Sequence, residues 1–257
     1  MWLNKIKENS ERINSQGGQD GVIDYIISNI EIENKYCVEF GYSGTDWETS
    51  QPNCGNLVLT RGWDNLFFDG YHHNEEMNLH KIFITTENIL DAFKKHNVPK
   101  KLGYLSVDVD STDLWLTEKL LSEYEPSFFS VEFNPNIPIH YAITLPNDPI
   151  NSTWSGKVFG CSLKCLYIMS KKFGYSLVYA GKVSQDGHHD AFFIKDELIK
   201  DQDKPTLYDF QDVIEPIHHK NTDGKWEICL DYECFLETND VKKSQKVVKE
   251  ICRNIFC

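Results

Sequence analysis

Short apolar runs of strand length alternate with helical patterns along residues 1–195, and almost every run ends in an acid or a glycine. The first, Tyr36-Cys37-Val38-Glu39-Phe40-Gly41, stops in a glycine turn, and Asn65-Leu66-Phe67-Phe68-Asp69-Gly70 repeats the pattern one βαβ unit later. Lys81-Ile82-Phe83-Ile84, residues 102–108 and residues 128–133 are the next three runs. Runs this short and this apolar belong to a parallel sheet covered on both faces. Helices expected at 54–63, 87–96 and 113–124 supply the crossovers, the second stopped near Pro99. A helix also follows Ser15-Gln16-Gly17-Gly18-Gln19-Asp20-Gly21, where Val22, Ile23, Ile26, Ile27 and Ile30 keep a 3.6-residue period.

After a proline-dotted stretch at 134–156, a helix is expected at 162–173 and strands at 176–179 and 191–194. The loop joining those two strands is too short for a helical crossover, so they run antiparallel. The predicted fold is one α/β domain with a Rossmann-like, doubly wound, mostly parallel sheet and an antiparallel final strand. From Glu197 the pattern weakens, with one helix at 240–255. The expected organisation is therefore a domain at 1–196 and a C-terminal extension at 197–257 to which the sequence assigns no role.

A chain of 257 residues suits one core and a modest appendage. The net charge of −13 opposes phosphate backbones and anionic lipid surfaces, so neither nucleic acid nor membrane is expected as a partner unless a local basic patch overrides the balance. No apolar stretch has the length of a secretory signal or a bilayer span, which predicts a cytoplasmic protein. The eight cysteines form no C-x-x-C pair and no zinc-like spacing with histidine, so free thiols are expected.

In an open parallel sheet, ligands bind beyond the carboxyl ends of the strands. Those ends deliver Glu39 with Gly41 and Gly44, Asp69 with Gly70, Asp108 and Asp110 followed by Asp113, and Glu132 with Asn134. Gly41 and Gly44 let backbone approach a ligand, and Asp69 is positioned to accept from ribose hydroxyls. A dinucleotide is disfavoured, because the first turn lacks a complete G-x-G-x-x-G and the carboxylates repel pyrophosphate. A sulfonium cation suits the same acids.

The order and spacing of these segments resemble the FkbM-like branch of class I S-adenosylmethionine-dependent methyltransferases over residues 15–195. The resemblance rests on Ser15-Gln16 with Gln19-Asp20-Gly21, Val38-Glu39-Phe40-Gly41, Asn53 with Asn56-Leu57 and Gly62-Trp63, and Phe68-Asp69-Gly70. It continues through Thr86-Glu87-Asn88-Ile89, Leu105-Ser106-Val107-Asp108-Val109-Asp110 with Asp113, Val131-Glu132-Phe133-Asn134, Gly160-Cys161-Ser162-Leu163-Lys164 and Ala191-Phe192-Phe193. It implies that Glu39, Gly41 and the neighbouring backbone hold the methionine moiety, Asp69 the ribose and Glu87 or Asn88 the adenine edge, with Asp108 facing sulfonium and acceptor. The first turn departs from the family pattern by carrying extra residues before Asn53, which leaves the match of Gly44 to the family's second glycine open.

Methyl transfer is an in-line displacement, so alignment alone supplies about 7–11 kcal/mol. A hydroxyl acceptor also needs a base, worth roughly 100- to 10,000-fold. The reversed final strand brings His188 and His189 to the ligand edge, and His189, with Asp108 and Asp110, makes up the catalytic set. A competing reading has Asp108, Asp110, Glu132 and Asn134 hold Mg2+ or Ca2+. Tyr71, Trp47 and Trp154 are candidate aromatic walls, the loop at 135–157 a candidate lid, and His72-His73 and His218-His219 surface pairs. The expected activity is O-methylation of a sugar, glycan or other small-molecule hydroxyl, with a non-catalytic scaffold and an NAD-dependent enzyme as alternatives.

Overall fold

The computed structural model describes residues 1–41, 44–152, 155, 157–215 and 226–255, the last two by backbone alone. A 3-10 turn at Leu3–Asn9 leads to α1 (Gln19–Ile27), and β1 (Tyr36–Phe40) follows, buried from Cys37 onward. Helices α2 (Trp47–Ser50) and α3 (Gly55–Arg61) precede β2 (Asp64–Asp69) and the short β3 (Leu79–Lys81). Next come α4 (Ile89–Lys95), β4 (Tyr104–Val107), α5 (Asp113–Leu121), β5 (Phe128–Glu132) and β6 (Ile143–Thr144). Helix α6 (Leu163–Lys172), β7 (Tyr175–Ala180), α7 (Val183–Asp186) and β8 (Asp190–Lys195) complete the main layer. Beyond them lie 3-10 turns at Asp196–Ile199, Leu207–Val213 and Trp226–Ile228, then β9 (Leu230–Asp231), α8 (Tyr232–Thr238) and α9 (Val241–Ile255).

Seven strands form one sheet in the order β3-β2-β1-β4-β5-β8-β7. Pairing is parallel from β3 to β5, and β8 runs antiparallel to both of its neighbours. The mixed α/β, Rossmann-like sheet with one reversed strand is thus the fold expected from the sequence. Side chains alternate along each central strand. Val38, Phe40, Leu66 and Phe68 enter the core under α4, α5 and α6, while Cys37 and Phe67 enter the core under α1 and α3. Strand order reverses between β1 and β4, where the chain leaves to opposite sides and a crevice must open.

One strand is displaced from its expected position. The run at 81–84 does not form the third strand, because β3 takes its register from β2 through Phe67↔Leu79 and ends at Lys81. Ile82, Phe83 and Ile84 continue past the sheet into the crevice wall. The segment after Glu197 is more ordered than its sequence implied. Strand β9 pairs antiparallel with β6, and Trp226, Cys229 and Val248 share a small core with Ile137, Ile143, Leu145 and Val158. Leu207, Val213, Leu230 and Tyr232 also join the main core. The described cysteines are free, and Cys257 lies outside the described residues. No helix among the described residues is long and apolar enough to cross a membrane.

Gly41 sets the spacing of β1 and β4 at the crevice. Its φ is +88°, and a Cβ there would collide with the Asp108 carbonyl oxygen. Gly41→Ala is therefore expected to lower unfolding free energy by about 2–4 kcal/mol in urea denaturation, since both the dihedral and the backbone contact are violated. A loss below about 1 kcal/mol would show that the two strands part freely.

Candidate functional site

The crevice is a cleft of about 300 Å³ at the carboxyl ends of β1, β2 and β4. Gly41, Asp69, Gly70, His72, Ile84, Asp108, Asp110 and Pro149 contribute to its walls, and among the described residues no Lys or Arg does. The volume lies at the small end of the roughly 300–1,000 Å³ typical of ligand pockets. Asp69 Oδ1 is used locally, accepting from Tyr71 N at 2.7 Å, His72 N at 2.5 Å and lying 2.8 Å from His72 Nδ1. Oδ2 has no hydrogen bond among the described residues, which leaves one oxygen for a ligand.

The β4–α5 loop is folded by Asp113, whose carboxylate accepts from Val109 N at 2.6 Å and Ser111 N at 2.9 Å. This sharp turn, with Asp110 at φ +58°, carries Asp108 and Asp110 towards Glu132 on β5. One oxygen from each of the three lies within 4.8 Å of the others. His189 Nε2 is 2.8 Å from Glu132 Oε1, while Glu132 Oε2 and His189 Nδ1 are buried without a hydrogen bond. Asp108 and Glu132 are both held well above the usual carboxylate range, by burial first and by one another's neighbouring acids second. Burial also raises Asp110, and it raises Asp113 to about 6. Burial lowers His189 against the pull of Asp190, Asp110 and Glu215, so its imidazole is neutral at pH 7.

Behind this floor runs a buried polar chain. Gln19 Nε2 donates to Asp190 Oδ2 at 2.8 Å, and Asn53 Nδ2 donates to Ser106 Oγ at 3.1 Å and reaches the same Asp190 oxygen at 3.5 Å. Burial pushes Asp190 up, but contact with His188 and the Gln19 amide outweigh it and keep Asp190 below its ordinary value. Asp190 is thus the fixed negative charge next to acids that hold their protons.

The structure brings Gly41, Asp69, Asp108 and Asp110 into one cleft and sets His189 beside it through Glu132. Other expected residues face elsewhere. Glu39 does not line the cleft, because its two oxygens accept from Asn53 N at 3.0 Å and Cys54 N at 2.8 Å and so tether the start of α3 to β1. Gly44 lies against Ser50 and Thr49. Asn88 closes its own loop, accepting from Thr85 N and donating to Phe83 O, and exposed Glu87 lines a separate groove between α4 and α5. Asn134 accepts from Asn136 N and donates to Lys157 O and Phe159 O, which removes it from the expected cation ligands.

Of the aromatic walls, Tyr71 lines the cleft and Trp47 packs on Phe67. Trp154, the pair His218-His219, and Tyr42 and Ser43 of the first turn lie outside the described residues. Within the candidate lid, Pro149 reaches the cleft. His72, expected as half of a surface pair, is instead half-buried in the cleft wall, together with Phe83 and Ile84, which were expected in a strand. Only the proximity of His72 to the Asp69-Gly70 turn could have signalled its position. No family model and no curated protein matches this chain.

The proton inventory has a measurable sign. Glu39 and Asp113 titrate at about 7 and about 6 in the folded chain, against ordinary values of 4.5 and 3.8. Between those limits the folded chain holds protons that the unfolded chain has released, so these groups make stability fall as pH rises from about 4 to 7. His189, lowered by burial, acts oppositely and loses stability as pH falls below about 6.5. Carboxyls held below their ordinary values are ionised in both states above about pH 5, so Glu39, Asp108, Asp110, Asp113 and Glu132 set the slope there; calorimetry should give a Tm that declines from about pH 5 to pH 8, and Glu132→Gln should flatten the decline. A Tm rising over that window would contradict the protonated cluster.

Proposed function

We propose that the chain is an S-adenosylmethionine-dependent methyltransferase acting on a hydroxyl of a sugar, glycan or other small molecule. The observation that carries this reading is a cleft at the strand-order reversal, walled by Gly41, Asp69 and Asp108 and free of Lys and Arg among its described lining residues. Such a wall fits a cationic ligand that carries ribose hydroxyls, and it opposes the pyrophosphate of a dinucleotide. The resemblance in the order of motifs along residues 15–195 points the same way.

S-adenosylmethionine supplies an electrophilic methyl group on a cationic sulfur. The residues of the chain do the remaining work. Asp69 Oδ2 offers an acceptor for a ribose hydroxyl, and the open backbone at Gly41 permits close approach. Asp108 and Asp110, which burial pushes towards the protonated form, supply negative charge to the cation by releasing protons as it enters. His189, kept neutral by burial, accepts the proton of the acceptor hydroxyl, and Glu132 holds the ring through Nε2. Pro149, from the segment that shares a core with β9 and α9, closes one side of the cleft.

A second reading has an observation of its own. The oxygens of Asp108, Asp110 and Glu132 are close enough together to share one hard divalent cation such as Mg2+, which would acidify the acceptor hydroxyl without a histidine base.

Calorimetric titration with S-adenosylhomocysteine and, in parallel, with NAD tests the cofactor directly. Binding of the former alone is expected. Asp69→Asn keeps the Oδ1 acceptor of its turn and should weaken S-adenosylhomocysteine by roughly tenfold or more, as loss of a charged hydrogen-bond partner does. Binding of neither ligand would favour a scaffold role. His189→Ala should leave cofactor affinity unchanged while slowing methyl transfer by about 100-fold or more. Turnover that is lost in EDTA and restored by Mg2+, with His189→Ala still active, would select the cation reading instead.

A further inference from the structure

Three imidazoles meet at the open edge of the sheet. His80 lies on the edge strand β3, His96 caps the carboxyl end of α4, and His73 stands on the loop after β2. The His80 and His96 rings are 4.1 Å apart between centroids and tilted by 53°, and both rest on Phe68. The ring of His73 is exposed, 5.9 Å from that of His80. His72, His188 and His189 each lie on a carboxylate, whereas no member of this group is paired with one among the described residues.

The ring nitrogens are presented as a metal needs them. Asn78, at φ +51°, donates through Nδ2 to Asn65 O, which turns its Oδ1 towards His80 Nε2 at 2.8 Å. An amide oxygen only accepts, so Nε2 carries the ring hydrogen and Nδ1 keeps the lone pair. A carbonyl on the far nitrogen is the usual outer partner of a metal-bound histidine. His96 Nε2 is buried without a hydrogen bond. A phenyl ring would fill the same place over Phe68 without stranding a nitrogen, so histidine here calls for a partner from outside the chain. Burial first, then His96, His73 and Lys95, lower His80 below its ordinary value, and burial with Lys95 does the same to His96. Both rings are therefore neutral at pH 7, the form in which imidazole binds a metal.

We propose that His80 and His96, with the exposed His73 as third ligand, bind a zinc-like divalent ion. This inference does not depend on methyl transfer. The class of ion follows from the donors. Imidazole suits Zn2+, Ni2+ and Cu2+, whereas Mg2+ and Ca2+ take oxygens of the kind gathered by Asp108, Asp110 and Glu132. Lys95 lies close enough to both rings to work against a cation, and bonds to neutral nitrogen must exceed that repulsion. His80 and His96 stand at the two ends of the segment 81–95, which includes Ile82, Phe83 and Ile84 of the cleft wall. An ion shared by the two rings closes that segment into a loop and ties one wall of the cleft to the sheet edge.

Calorimetric titration of the full chain, stripped with EDTA, against ZnCl2 tests the site, with MgCl2 in parallel. Zinc is expected to saturate at a single ion and to raise Tm. Loss of a ligand costs at least as much as loss of its outer partner, so His80→Gln and His96→Gln should each weaken zinc by roughly tenfold or more. His73→Gln, at an exposed position outside the core, should weaken it as well, while Glu132→Gln binds zinc like the parent. Melting each variant in EDTA separates lost binding from lost fold. Should His80→Gln or His96→Gln melt lower there, anomalous scattering from parent crystals grown with ZnCl2 reads the site directly, with a peak expected between the two rings. Unchanged zinc affinity in any of the three histidine variants, affinity lost in Glu132→Gln instead, or a peak only at Asp108 and Glu132 or at lattice contacts overturns the inference.

Discussion

The backbone contact between Gly41 and the Asp108 carbonyl oxygen fixes the floor of the cleft where β1 and β4 end. Two parallel strands of opposite onward direction lie side by side there, and glycine lets them stay close up to the last residue of β1. Beyond that point no described residue fills the space, so Gly41 and the turns after β2 and β4 surround a cleft. Asp113 then folds the β4–α5 loop by taking two of its amides, which turns Asp110 towards β5. Every acid in the wall depends on that arrangement of backbone.

Acids collected this way in a poorly solvated floor cannot all be ionised. Desolvation and mutual repulsion act in the same direction on Asp108 and Glu132, and desolvation raises Asp110 against the pull of His189 and Glu132, whereas Asp190 escapes because His188 and the Gln19 amide meet its charge. The resulting division, one fixed anion behind several protonated carboxyls and a neutral imidazole, gives the site a reserve of negative charge. A cation entering the cleft can draw on it by displacing protons. The stability cost at neutral pH is the expected companion of such a site.

The C-terminal segment contributes to the same region indirectly. Strand β9 and α9 hold β6 and Val158 in a common core, and the chain between those two strands supplies Pro149 to the cleft. Phe159, just after Val158, packs on the His189 ring at 5.5 Å between centroids.

By itself the sequence determined the class of sheet, most of its strands, its single reversal and the acids at the strand ends. These follow from local periodicity and from the residue that terminates each run, which neighbours along the chain suffice to specify. Tertiary structure alone decided the rest. The register of β3 comes from pairing with β2, which moves Ile82–Ile84 out of the sheet and into the cleft. Glu39, an acid at a strand end like Asp69, is satisfied by amides at the start of α3, fourteen and fifteen residues away, and so faces away from the ligand space. Glu87 and Asn88 follow the turn into α4 and leave the cleft with it. Side-chain direction and hydrogen-bond occupancy depend on which distant backbone comes to rest beside a residue, and that is settled by packing between elements rather than by the order of residues within one.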